Sequence, residues 1–106
     1  MNYNVVLKIE ADDDLLSLSY TQKIMIFKQF KKLETSPELG IPLGKKAGYD
    51  LSGYRKMYAN KKQFRIVYKI VEDKIIIEVI AIGKRDDMEV YKKASQRILE
   101  EGYKNG

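Results

Sequence analysis

The stretch LSGYRKMYANKKQFRIVYKIVEDKIIIEVIAIG, residues 51–83, decides the fold. Within it Phe64, Ile66, Tyr68 and Ile70 alternate with Arg65, Val67 and Lys69, the period-2 pattern of a strand with one face in a core. The pattern predicts strands over 51–58, 64–71 and 74–83, with turns at Asn60-Lys61 and Glu72-Asp73. Three strands joined so tightly make an antiparallel meander. The last is rich in isoleucine and valine and reads as the most buried.

Toward the amino terminus, Tyr3, Val5, Leu7 and Ile9 alternate with Asn4, Val6, Lys8 and Glu10, which predicts a further strand. Asp12, Asp13 and Asp14 offer an N-cap and favourable first-turn charge for a short helix through Leu15 and Leu16. Ser19 or Thr21 caps a second helix over 20–33. Its apolar stripe is Tyr20, Ile24, Phe27 and Phe30, widened by Met25, Ile26 and Leu33. The two helices form a hairpin over one face of the sheet. Residues 36–48, punctuated by Pro37, Gly40, Pro42, Gly44 and Gly48, read as irregular. Toward the carboxyl terminus, Asp86 or Asp87 caps a final helix to about Gly102, with Val90, Tyr91, Ala94, Ile98 and Leu99 inward. The order is βααβββα. It predicts a single α+β domain over 1–106, with a helical hairpin and a C-terminal helix on a mainly antiparallel four-stranded sheet.

Composition narrows the chemistry. The chain has neither cysteine nor histidine, so disulfides, thiolate catalysis, an imidazole base and the common zinc ligand sets are excluded. Tyr, Lys, Arg, Asp, Glu, Ser and Thr remain, and no cofactor or metal is expected. The Asp12–Asp14 run is not a metal site on this reading, because successive helical residues point in different directions. The start of the chain has no secretory pattern, and Ile75 to Ile82, interrupted by Glu78, falls well short of the ~20 residues that span a bilayer. A cytoplasmic protein without membrane contact is the expectation.

Charge is uneven. Residues 1–50 hold seven lysines against seven acids, whereas 51–106 hold thirteen Lys or Arg against eight acids and so carry the whole net charge of +5. Arg55, Lys56, Lys61, Lys62, Arg65 and Lys69 fall in an acid-free segment interleaved with Tyr54, Tyr58, Phe64 and Tyr68, and Lys84 extends the basic set. Such a segment suits phosphate neutralisation and base stacking on single-stranded nucleic acid. It also suits a solvated hairpin whose aromatics are core, and Tyr54, Tyr58 and Tyr68 read as core.

The motifs GYRK at 53–56, FRIVYKI at 64–70, and IGKR at 82–85 followed by Val90-Tyr91 stand in one order. With the KKLETSPELG turn at 31–40, this set resembles the RelE/ParE family of toxins from type II toxin–antitoxin modules, over nearly the whole chain. The resemblance implies one of two activities: RelE-like members cleave messenger RNA in the ribosomal decoding site, whereas ParE-like members poison DNA gyrase and lack the nuclease residues. Arg65, Arg85 and Tyr91 match the nuclease positions. The second strand departs from the pattern. RelE enzymes place two lysines there at alternate positions, and the corresponding residues are taken here as Arg55 and Met57. Register decides which cation faces the site. With a four-residue loop over 59–62, Lys56 opposes Arg65 and shares its face; with a three-residue loop Met57 opposes it and Arg55 joins the face, and the family pattern favours this second arrangement.

On this reading RNA supplies its own nucleophile, the 2′-hydroxyl. The protein must align it, move two protons and neutralise the charge on the phosphorane-like transition state. Arg65 and Arg85 suit the last task, with Arg55 or Lys56 as a third cation. Tyr91 is a candidate for base stacking or proton transfer. Lys56, Lys61, Lys62, Lys69 and Lys84 are the RNA-binding candidates. The implied partners are a cognate antitoxin, which lays an acidic helical segment over the basic face or displaces the final helix, and the ribosome with its message. The rival readings are a gyrase inhibitor and a non-catalytic RNA-binding or interaction module of the same fold.

Overall fold

A computed structural model of the chain describes residues 2–85 and 88–105, with side-chain surroundings as far as Glu100. The elements in order are β1 (Asn4–Leu7), α1 (Ile9–Leu16), α2 (Tyr20–Thr35), β2 (Ile41–Pro42), β3 (Lys45–Lys46), β4 (Tyr49–Asp50), β5 (Arg55–Ala59), β6 (Phe64–Val71), β7 (Ile76–Lys84) and α3 (Glu89–Asn105). The main sheet has the order β1-β7-β6-β5-β2, and β3 and β4 form a separate two-stranded ribbon.

The α+β arrangement and the meander stand as the alternation requires: β5–β6 and β6–β7 are antiparallel. The sheet itself is mixed, because β1 lies parallel to β7, with Asn4 beside Ile76 and Leu7 beside Val79. A fifth strand, β2, comes from the segment expected to be irregular. It is held at the edge because the Gly40 N–H donates to the Tyr68 hydroxyl at 2.8 Å, which in turn donates to the Pro37 carbonyl at 2.7 Å.

Helices cover both faces of the sheet. Ile26, Phe30 and Leu33 of α2, with Ala11 and Leu15 of α1, pack on Met57, Ala59, Phe64, Ile66, Tyr68, Ile77, Val79 and Ile82. On the other face Val90, Tyr91 and Ala94 of α3 pack on Val67, Ile80, Ala81, Leu43 and Leu51. A bulge opposite Val67 and Tyr68 makes Ile80 the extra residue of β7, so that adjacent Ile80 and Ala81 both serve the α3 side. The expected pre-eminence of β7 is shared with β6, whose Phe64, Arg65, Ile66, Val67 and Tyr68 are all buried.

Several local expectations are corrected. The helix α1 begins at Ile9, not after Asp12: the Asp12 N–H already donates to the Lys8 carbonyl, and Lys8 stands at the N-cap without a side-chain cap. The stripe of α2 is Ile26, Phe30 and Leu33, whereas Tyr20 is 80% and Phe27 49% exposed, because the helix is rotated relative to the broad stripe read from its sequence. Ser19 does cap α2, in a reciprocal capping box with Gln22. Leu99 faces outward on α3, and the cap at Asp86 or Asp87 lies outside the described residues.

Asp14 has a tertiary role. β1 stops opposite Val79, which leaves the next polar groups on that edge of β7 without a strand. Asp14 fills the gap: its carboxylate accepts from the Ile82 N–H at 3.0 Å and from both Arg97 amino groups at 2.7 and 3.1 Å, while Arg97 also donates to the Ile80 carbonyl at 2.9 Å. One bidentate pair joins α1, the sheet edge and α3.

Candidate active site

The register of β5 on β6 settles which cations converge. Tyr58 stands opposite Arg65, Lys56 opposite Val67, Met57 opposite Ile66 and Arg55 opposite Tyr68. The loop spans Asn60 to Gln63, so the residue opposite Arg65 is one further along β5 than the three-residue arrangement gives and two further than the four-residue arrangement over 59–62. Lys56 and Tyr58 therefore share the face of Arg65, while Arg55 and Met57 point to the other. Arg55 does not join the site. Its guanidinium donates to the Gly40 carbonyl at 2.8 Å and to the Glu38 carbonyl at 3.4 Å, fastening the β2 edge.

The β5–β6 turn is built against ordinary preference. Asn60, Lys61 and Lys62 have φ of 52°, 56° and 67°, three consecutive side-chain-bearing residues in the left-handed region. The turn is closed by the Gln63 N–H on the Asn60 carbonyl and by the side chains of Asn60 and Gln63. The Arg85 N–H donates to the Gln63 carbonyl at 2.9 Å, tying the end of β7 to the turn. As a result Lys61, Lys62, Gln63, Lys84 and Arg85 line one open cavity.

The half-buried Tyr58 ring is the centre of the cations. Lys56 Nζ donates to its hydroxyl at 3.0 Å and lies 4.9 Å from the ring centroid. Lys62 Nζ, Arg85 Cζ and Arg65 Cζ lie 5.8, 5.9 and 6.0 Å from the same centroid. The Lys56 hydrogen bond is the chief reason the phenol pKa falls from 10.0 to about 8; partial burial opposes it and Arg65 adds to it. The structure thus corrects the expectation that Tyr58 is core. No local pattern separates it from Tyr68, which is fully buried and whose pKa burial pushes up; only the strand register does.

Arg65 is 7% exposed, with its guanidinium carbon 5.1 Å from the Tyr91 centroid and Nη1 3.8 Å from Met88 Sδ. Tyr91 is fully buried beneath it, and neither Arg65 Nε nor Tyr91 Oη has a hydrogen-bond partner among the described residues. The structure thus places Tyr91 as the floor under Arg65, where its ring is covered. Arg85, Lys61, Lys62 and Lys84 are exposed at one end of the face, and Lys69 lies further along it with Nζ 5.6 Å from the Tyr54 ring.

The family model of the ParE toxin of type II toxin–antitoxin systems matches residues 5–89. The chain belongs to the RelE/ParE family of toxins. A RelE-like toxin protein of Escherichia coli is 31% identical over 98 residues, which are 92% of this chain and 99% of that protein. The Escherichia coli mRNA interferase toxin RelE is 39% identical over 44 residues, 42% of this chain and 46% of that one. The solved structure of a double mutant of Escherichia coli toxin RelE in the free state superposes with a TM-score of 0.72 at 26% identity, covering 92% of this chain and 99% of that one. Among the described residues of this toxin no helix is long and apolar enough to cross a membrane.

Proposed function

We propose that this toxin is a metal-independent endoribonuclease that cuts messenger RNA on the ribosome, by attack of a 2′-hydroxyl on the adjacent phosphate. The observation that carries the reading is the convergence of Lys56, Lys62, Arg65 and Arg85 within 6.0 Å of one ring centroid on a single face. Four fixed positive charges around a half-exposed position suit a scissile phosphate whose charge grows in the transition state. Arg85 and Lys62, both exposed, are placed to touch phosphate oxygens; buried Arg65 strengthens the local field from behind, and Tyr91 positions Arg65. Lys61, Lys84 and Lys69 extend the track for the flanking backbone. The cognate antitoxin is a protein with an acidic face that covers this surface, and the cytoplasm is the compartment in which toxin, antitoxin and ribosome meet.

The test is primer extension on a reporter message in a cell-free translation reaction. New 5′ ends on translated message, lost in Arg85→Ala, are expected. Intact message together with growth arrest by the same protein overturns the reading and favours the gyrase-directed one, which an in vitro supercoiling assay then decides.

A further inference from the structure

The proposed cleavage needs a group to take the 2′-hydroxyl proton, and the chain has no histidine or cysteine to do it. Arginine does not give up its proton in proteins, so Arg65 and Arg85 stabilise charge without accepting a proton. Tyr91 is fully buried, with the Arg65 guanidinium over its ring. Tyr58 is different on each count: it is half-exposed, it stands opposite Arg65 on the open face, and cations from separate elements surround it.

We propose that Tyr58 is the proton acceptor of the cleavage reaction, acting as a phenolate held by Lys56. The inference rests on the nuclease reading above. In the step, the Tyr58 phenolate takes the proton of the 2′-hydroxyl and the 2′-oxygen bonds to phosphorus. The bond from phosphorus to the 5′-oxygen breaks, and that oxygen takes a proton from water. The products are a 2′,3′-cyclic phosphate and a 5′-hydroxyl end, and the phenol returns its proton to solvent.

The surroundings account for the role. Lys56 on the same strand donates directly to the phenol oxygen at 3.0 Å, so it stabilises the anion more than the neutral hydroxyl. Lys62 from the turn, Arg65 from the neighbouring strand and Arg85 from the chain after β7 add positive potential from three further directions. The low phenol pKa, about 8, brings the group close to neutrality, where a general base works best. A phosphate arriving among these cations raises that value partway back and so couples proton affinity to substrate binding.

The experiment is single-turnover cleavage by the full chain, in excess over ribosomes programmed with a short message, followed across pH. Three proteins are compared: the natural sequence, Tyr58→Phe, and a protein carrying a fluorinated, more acidic tyrosine at position 58. Cleavage by the natural sequence should rise with pH and level off above the phenol pKa. Tyr58→Phe should lose about 10²–10⁴ in rate and the rising limb with it, while its ribosome binding changes less than about threefold, a kcat effect without a KM effect. The fluorinated protein, which keeps shape and hydroxyl, should shift the limb to lower pH. A rising limb that persists in Tyr58→Phe, or one that does not move with the fluorinated side chain, overturns the assignment of Tyr58 and leaves the nuclease reading standing. An absence of cleavage by the natural sequence overturns the nuclease reading, and the assignment with it.

Discussion

Lys56 donates a 3.0 Å hydrogen bond to the hydroxyl of Tyr58, two residues along the same strand and on the same face. The pair gives the site a weakly basic oxygen inside a ring of cations, in a chain without histidine. Ultraviolet titration of the folded toxin should therefore show one tyrosine ionising near pH 8, absent from Tyr58→Phe. In Lys56→Met the same ionisation should move up toward the ordinary tyrosine range, because the first cause of the depression is gone. The sign for stability follows. A phenol depressed on folding stabilises the native state above its unfolded pKa near 10, and that contribution disappears as pH falls through about 8. An ionisation near 8 that survives Lys56→Met would place the cause elsewhere.

The meander was legible because hydrophobic alternation and short turns are local signals; the register was not. Whether Lys56 or Arg55 faces Arg65 turns on one residue of loop, and the loop chosen puts Asn60, Lys61 and Lys62 in left-handed backbone without a single glycine to announce it. The same shift conceals Tyr58, since a tyrosine on either face fits an alternating strand. The start of α1 is hidden in the sequence because alternation continues through Ile9 and Glu10 while the backbone is already turning at Lys8. Asp14 looks like a capping residue until Arg97, distant in sequence, is beside it. Arg65 and Arg85 are singled out by a spacing that belongs to the family and not to any local propensity.

The strained turn has a separable cost. Each left-handed residue with a Cβ is disfavoured by about 1–2 kcal/mol, partly offset by the greater unfolded-state freedom of a glycine replacement. Lys61→Gly should raise stability by about 0.5–1 kcal/mol in denaturant unfolding. If Lys61 contacts RNA, the same variant should reduce the salt dependence of single-strand binding, with the slope of log K against log salt falling by about 0.7. Greater stability with an unchanged slope would remove Lys61 from the interface.

Tyr91 tests the floor under Arg65. Its hydroxyl is buried without a partner among the described residues, so Tyr91→Phe removes a group that gains nothing there. Stability should hold or rise slightly, and cleavage should stay within about threefold of the natural sequence. Tyr91→Ala instead leaves a large cavity below Arg65 and should cost about 3–5 kcal/mol. A large loss of cleavage in a stable Tyr91→Phe protein would show that the phenol reaches substrate after a movement of α3.

The Asp14–Arg97 pair carries the edge of β7 where β1 ends. Its side chains are only 10% and 13% exposed, so removing one partner strands a charge together with a backbone group of Ile80 or Ile82. Asp14→Ala and Arg97→Ala should each destabilise by about 3 kcal/mol, with the double variant less destabilised than the sum. Additive losses in denaturant unfolding would mean that the two residues stabilise the chain separately.

Gly83 lies opposite Arg65, one residue before Lys84 and two before Arg85, so its contact with α3 links helix docking to the site. A Cβ built on Gly83 would come within 2.9 Å of Val90 Cβ, and Val90 is rigid and buried, so the helix itself must shift. Gly83→Ala should cost about 1–3 kcal/mol by overpacking and should lower cleavage by displacing Arg85 from Tyr58. Val90→Ala alone also destabilises, through lost burial, but it opens the space that the new methyl needs. The double variant should therefore recover both stability and cleavage relative to Gly83→Ala, a favourable coupling of about 1 kcal/mol or more in a double-mutant cycle. Unchanged cleavage in a destabilised Gly83→Ala protein would show that Arg85 is placed by the β5–β6 turn through Gln63 and not by the packing of α3.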